Sequence, residues 1–269
     1  MSRKSHVGAT GASEAEGTIR PMPLYHEQGV VLRRIKLAEA DRIVTIMTQG
    51  SGKVRAVAKG ARKTLSRFGA RLEPFTHVQV LMYRGRGSLD TVTQAEILSA
   101  HRMLRQDYAL ITAGEAMLEA TDKVAEEHER NVRLFLLLLQ GLRSLDARPG
   151  DPSAVAESFL LKLLSLSGFH PSLSVCAVCG GRLDPGLFSS AQGGAVCGRC
   201  ADPDAELVAP ESFALLARYA GAGLETVGLS DVAGGPVRKQ ARAMLFGFTE
   251  YHLDRRIRSL PLLAGGAPA

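Results

Sequence analysis

Gln49-Gly50-Ser51-Gly52-Lys53-Val54-Arg55-Ala56-Val57-Ala58-Lys59 decides how the first third of the chain is read. Its two glycines can take positive φ and so make a tight turn. The run that follows alternates, with Val54, Ala56 and Ala58 on one face, which is the period of a strand with one buried side. Upstream of the turn, Arg42–Thr48 carries Ile43, Val44, Ile46 and Met47, and Gln28–Leu37 carries Val30, Val31, Leu32 and Ile35. Downstream, Phe75–Arg84 alternates Val78, Val80 and Met82 against Gln79, Leu81 and Tyr83. Gly85-Arg86-Gly87-Ser88 turns that strand into a fifth, Leu89–Leu98. Five short strands punctuated by turns predict a small closed or partly closed barrel.

Five strands with one long connection match an OB-fold. After residue 100 the pattern becomes helical. Ala100–Glu129 reads as one long amphipathic helix. Asn131 caps a second through Leu145, stopped by Pro149-Gly150. Asp151 caps a third, with Pro152 at its first position, running to Gly168. Pro210 opens a shorter helix to Ala220, and Pro236 opens the last, to about Arg258. Residues 1–21 show no periodicity and read as a disordered tail, with Met22 as a possible biological start.

The chain has 269 residues with 45% hydrophobic and 22% charged residues, enough for two domains and against wholesale disorder. Its longest apolar run, Leu134–Leu139, falls far short of the roughly 20 residues of a bilayer span. Residues 1–20 lack the apolar segment of a secretory signal, so a cytosolic protein is expected.

The net charge of +6 is unevenly spread. Residues 21–100 hold 13 Lys and Arg against 6 Asp and Glu, whereas residues 101–269 hold 17 against 19. Between Arg42 and Leu72 there is no acid, but Lys53, Arg55, Lys59, Arg62, Lys63, Arg67 and Arg71 are present. A solvated surface mixes signs, and a single-sign stretch repels itself, so it suits a polyanion. The plainer reading is a basic loop that serves solubility alone. Phe68, Phe75 and Tyr83 are candidate base-stacking residues, each also fitted to a core. Arg238, Lys239, Arg242, Arg255, Arg256 and Arg258 form a second basic cluster, equally readable as a solvated last helix.

All four cysteines fall in one segment, Cys176-Ala-Val-Cys179 and Cys197-Gly-Arg-Cys200. Two residues between sulfurs let both thiolates of a turn face one ion, and two such turns complete a tetrahedron. A closed shell of four thiolates predicts one structural zinc with no position left for a reacting water. A redox dithiol pair is the competing reading. The expected fold class is therefore α+β: an N-terminal OB-fold β-barrel over residues 22–100, then an α-helical domain over 101–269 with a four-cysteine zinc finger inserted at 173–203.

No catalytic constellation accompanies these features. Gly50-Ser51-Gly52-Lys53 fails as a phosphate loop, because Met47 and Val54 occupy the positions that need Gly and Ser or Thr. No G-x-G-x-x-G or G-x-S-x-G occurs, and no H-x-E accompanies the cysteines as a deaminase would require.

Taken together, the residues resemble the RecO family of bacterial recombination mediators over most of residues 22–260. The resemblance is carried by Glu39-Ala40-Asp41-Arg42-Ile43-Val44, by Gly52–Lys63, by Leu72-Glu73-Pro74-Phe75, by Phe159–Gly168 and by Cys176-Ala-Val-Cys179-Gly with Gly193-Gly194-Ala195-Val196-Cys197. It implies an OB-fold, a helical domain and a zinc finger, without ATP use. It further implies binding of single- and double-stranded DNA, annealing of complementary strands, and partnership with RecR. It also implies capture of the acidic, Phe-ended tail of single-stranded DNA-binding protein (SSB), and help in loading RecA on SSB-coated strands. A cytoplasmic, nucleoid-associated, non-enzymatic protein follows. Arg130 and Arg133 beside Phe135 and Leu136 are a candidate pocket for that tail, or an ordinary core helix with solvated arginines. The rival readings are an RNA-binding barrel with a zinc ribbon, and a zinc-dependent enzyme with an open coordination position.

Overall fold

The computed structural model describes residues 24–63, 66, 68–85, 87–148, 150–229 and 235–263. The expected tail, Met22 and Arg67 lie outside them.

Five strands form the N-terminal part: β1 (Leu24–Leu37), β2 (Asp41–Thr48), β3 (Gly52–Ala58), β4 (His77–Tyr83) and β5 (Asp90–Ser99). They close in the order β1-β2-β3-β5-β4, with β4 pairing back onto β1. Only the β3–β5 pair is parallel, Ala56 opposite Asp90 and Val57 opposite Thr91. This is the five-strand OB barrel that the alternation predicts. Val31, Val44, Ile46, Val54, Ala56, Ala58, Val78, Val80, Met82 and Val92 fill its interior. The long connection from β3 to β4 closes one end. Ala61, Phe68 and Leu72 drop into the barrel core, the last from a single 3-10 turn, Gly69–Leu72. Burying a side chain the size of Phe or Leu contributes about 2 kcal/mol, so this connection is anchored from beneath while Lys59, Arg62, Lys63 and Arg71 stay exposed.

The helical part contains α1 (Tyr108–Val124), α2 (Val132–Asp146), α3 (Pro152–Leu166), α4 (Pro210–Gly221), α5 (Gly235–Leu253) and α6 (Leu260–Leu263). α3 is central and packs against α1, α2, α4 and α5, with Phe159, Leu160, Leu163 and Leu164 fully buried. Asn131 and Asp151 cap α2 and α3 as expected, accepting from the Leu134 amide and from the Ser153 and Ala154 amides.

The expected long helix over Ala100–Glu129 is shortened at both ends. At its start, the Asp107 carboxylate accepts from the Ala109 and Leu110 amides and sets a new N-terminus. The residues before it form a separate 3-10 turn whose Met103 and Leu104 amides donate to Asp146. At its end, the chain leaves the helix after Val124 and turns back onto the barrel, where the His128 amide donates to the Lys53 carbonyl at 3.0 Å. That segment lies directly over the β2–β3 turn: Gly52 has φ +67°, and a Cβ there would meet the Glu129 carbonyl oxygen at 1.8 Å. α5, expected to run to about Arg258, likewise stops at Leu253, because Asp254 takes φ +47°, and a separate short helix, α6, follows.

Between α3 and α4 the chain forms a small sheet of β6 (Gly186–Ser189), β7 (Gly194–Cys197) and β8 (Glu206–Leu207), ordered β7-β6-β8. Phe188 of β6 anchors it to the helices, its ring 6.4 Å from Phe213 and 5.9 Å from Phe248. His252 adds a second anchor, ring 4.9 Å from Phe169 and Nε2 2.9 Å from the Ser190 carbonyl. Two further histidines, His77 and His101, are buried at the barrel's junction with the helices, and neither Nε2 has a partner. Burial, with Arg143 and His101 nearby, holds the His77 imidazole down to about 4, so it packs as a neutral ring. Among the described residues no helix is long and apolar enough to cross a membrane.

Candidate nucleic-acid interface and metal centre

The basic stretch divides into two groups. Lys53 and Arg55 face the helical part and meet acids there. The Lys53 ammonium donates to the Asp122 carbonyl at 2.7 Å and lies 3.5 Å from its carboxylate, and Arg55 lies 3.6 Å from Glu127. Arg33 joins the same Asp122 at 2.8 Å. These residues tie β3 and β1 to the end of α1, so their charge is largely matched within the chain.

Lys59, Arg62 and Lys63 follow β3 and are exposed. None has an acidic partner among the described residues. Their backbone is braced against the β1–β2 turn: the Gly60 amide donates to Asp41 at 2.8 Å and the Arg62 amide to the Ala40 carbonyl at 2.9 Å. The Arg62 guanidinium also donates to the Ala38 carbonyl at 3.2 Å. Arg71 is exposed on the 3-10 turn that Phe68 and Leu72 pin from below. Bracing at both ends fixes where these cations sit.

Strand pairing extends the positive face beyond the acid-free stretch. Lys36, exposed on β1, stands opposite Arg42, which stands opposite Ala58. Arg34 and Arg42 share one carboxylate, Glu73, leaving a net positive charge there. At the other end of β1, the exposed Arg84 guanidinium lies 5.0 Å over the Tyr25 ring. Burial and the neighbouring Asp90 push the Tyr25 hydroxyl well above its ordinary range. Lys36 and Arg84 were not singled out from the sequence; the run Arg33-Arg34-Ile35-Lys36 is the signal that could have found the first.

Two of the three candidate stacking residues are excluded. Phe68 and Phe75 are buried, Phe68 in the barrel and Phe75 in the helical core, so neither offers a free ring face for a stacked base. Tyr83 remains exposed, beside Leu24.

The second basic cluster is also divided. Arg238 pairs with Asp151 and lies 3.7 Å from Glu157, and Arg242 lies 2.6 Å from Glu157, itself 2% exposed. These two arginines tie α5 to α3 and neutralise a buried carboxylate, which would be costly unpaired. Lys239, Arg255, Arg256 and Arg258 are exposed. The candidate tail pocket loses its floor: Phe135 is buried against the core, although Arg130, Arg133 and Leu136 are exposed.

Cys176, Cys179, Cys197 and Cys200 converge, with all four Sγ atoms within 4.8 Å of one another and Cys179 3.9 Å from Cys197. Backbone amides of Cys179 and Cys197 hold the Cys176 thiol down to about 6, whereas the neighbouring thiols of Cys197 and Cys179 push Cys200 up to about 12. Four sulfurs this close cannot all ionise without a cation among them. Soft thiolate donors in a tetrahedral set fit a metal ion and leave it no open coordination position.

Comparison with known proteins covers nearly the same span. The sequence profile described as recombination protein O N terminal matches residues 22–101, and recombination protein O C terminal matches residues 105–261. A protein named DNA repair protein RecO from Frankia casuarinae is 44% identical over 247 residues, covering 90% of this chain and 99% of its own. Proteins of the same name from Nocardioides sp. and Streptomyces avermitilis are 44% and 40% identical, covering 88% and 89% of this chain and 98% of each relative.

Proposed function

The chain belongs to the recombination protein O family of DNA repair proteins, and from that premise we propose that it is a non-enzymatic recombination mediator whose barrel grips the DNA backbone. One observation carries this reading. Lys59, Arg62 and Lys63 are exposed, lack acidic partners among the described residues, and sit on a loop braced to the β1–β2 turn. Cations held in place, rather than on a floppy tail, lose less freedom when they meet phosphates. With Lys53 and Arg55 matched by acids, the phosphate contacts fall to Lys59, Arg62, Lys63, Arg67 and Arg71, extended by Lys36. Such contacts hold single or double strands without reading sequence, so two complementary strands can be brought together and paired. In the cell this would serve annealing and, with RecR, loading of RecA onto strands coated by SSB, in the cytoplasm at the nucleoid. Capture of the SSB tail rests on the family resemblance. The metal at the four cysteines would be one zinc per chain, held for structure by Cys176, Cys179, Cys197 and Cys200.

The direct test is annealing of SSB-coated complementary oligonucleotides with no nucleotide present. Pairing faster than the uncatalysed rate supports the reading. No acceleration, or acceleration only with ATP, counts against it.

The division of the basic stretch has its own test. Lys53→Ala removes the hydrogen bond and ion pair to Asp122 and is expected to cost about 1–2 kcal/mol of stability in urea unfolding. The salt dependence of oligonucleotide binding should stay at the wild-type slope. A shallower slope in Lys53→Ala would place Lys53 on the DNA.

A further inference from the structure

The outer wall of β1, β4 and β5 carries a groove that continues the proposed phosphate path. Arg71, Thr93, Gln94 and Glu96, with Phe68 and Ala95, line a cavity of about 470 Å³ between the Gly69–Leu72 turn and β5. A smaller hollow of about 90 Å³ adjoins it, sharing Gln94 and Glu96 and adding His26, Gln79, Val80 and Leu81. Strand pairing sets these side chains in two rows: Gln28, Gln79 and Glu96 in one, His26, Leu81 and Gln94 in the other. A β-bulge at Leu81/Met82 accommodates Thr93, whose hydroxyl donates to the Leu81 carbonyl at 2.9 Å. Bulges of this kind re-aim the neighbouring side chains of a strand.

We propose that this groove reads bases of single-stranded DNA, an inference that rests on the DNA-binding reading above. The groove presents amides and one carboxylate at its exposed edge over the more buried Phe68, Val80, Leu81 and Ala95, and the exposed polar groups suit base edges. Arg71 lines the groove and follows Lys59, Arg62 and Lys63 in the same connection between β3 and β4, so a strand gripped by those cations can continue to it. The single carboxylate sets the strand's orientation. Glu96 repels phosphates, so the backbone runs on the Arg71 side and the bases turn towards β5. There Glu96 accepts hydrogen bonds only, whereas Gln94 and Gln79 both donate and accept. Cytosine offers an exocyclic amino group to that carboxylate, and thymine offers none. Backbone contacts cannot distinguish the two, so any preference for cytosine must come from a site such as this.

The experiment compares binding of oligodeoxycytidine and oligothymidine of equal length by fluorescence anisotropy, each across a range of salt, for wild type, Gln94→Ala and Glu96→Ala. Both positions are exposed, so the fold should tolerate the changes. Wild type is expected to bind the cytidine strand about three- to tenfold more tightly at a given salt. In Glu96→Ala the ratio should fall to about one, whereas Gln94→Ala should weaken both strands together, with the salt slope unchanged in each. A wild-type ratio near one, or a ratio that survives in Glu96→Ala, overturns the groove as a base-reading site and leaves the phosphate contacts standing. Failure of wild type to bind either strand overturns the DNA reading itself and this inference with it.

Discussion

Reversing Lys59, Arg62 and Lys63 to Glu should abolish strand annealing while the protein stays folded. Each cation that meets a phosphate of a single strand releases condensed counterion, so log affinity falls with log salt by about 0.7 per contact. Six contacts, from Lys36, Lys59, Arg62, Lys63, Arg67 and Arg71, give a slope of roughly −4.2, and loss of three gives roughly −2.1. The three new carboxylates also repel the strand, so affinity at moderate salt should drop by orders of magnitude. Stability should change little, because all three side chains are exposed. Their loop is held chiefly by backbone bonds to Asp41 and Ala40 and by Phe68 and Leu72 beneath it. Salt titration of a labelled oligonucleotide checks the slope and thermal unfolding checks the fold. Equal slopes in wild type and triple mutant would mean that the loop is a solvated surface and the DNA lies elsewhere.

Loss of a metal ligand should act on stability instead. Cys176 and Cys197 are buried, and Val196 packs between them in a small cluster that has little apolar area of its own. With an ion held by its four thiolates, such a module would draw its cohesion from that ion. Purified protein should carry about one zinc per chain, and Cys176→Ser should cost more than about 4 kcal/mol, read as a separate early transition in thermal unfolding. Phe188 and His252 transmit part of that loss to α4 and α5. The salt slope of DNA binding should be untouched, since the basic loop belongs to the barrel. Native protein free of zinc, with four freely titrating thiols, would rule out the ion.

The sequence carried the barrel because Val54, Ala56 and Ala58 alternate within one strand, a pattern local enough to read without the fold. It carried the cysteine cluster for the same reason, since each pair is close in the chain. What it misread depends on distant partners. Lys53 and Arg55 look unmatched along the chain, but their acids come from far along it, Asp122 from the end of α1 and Glu127 from the segment that follows it. Arg238 and Arg242 look like part of a cationic helix until α3 brings Glu157 against them. The apolar periodicity of Ala100–Glu129 continues past both true ends, because the Asp107 cap and the return of the chain onto the barrel are tertiary choices. Phe68 and Phe75 are aromatic beside cations, and nothing local distinguishes a platform from a plug. The candidate interface was thus legible as a stretch of charge, while its division into structural and exposed cations was not.

Gly50 and Gly52 flank one serine in the same turn, and as letters they are interchangeable. A Cβ at position 50 would meet only the end of the Glu27 side chain, which can swing aside. One at position 52 would strike the Glu129 carbonyl, part of a main chain that cannot yield, and would also strain a left-handed backbone. Mutational tolerance therefore changes abruptly within three residues: the first glycine is a replaceable convenience of the turn. The second is a seam where two halves of the molecule are joined, open to no other side chain.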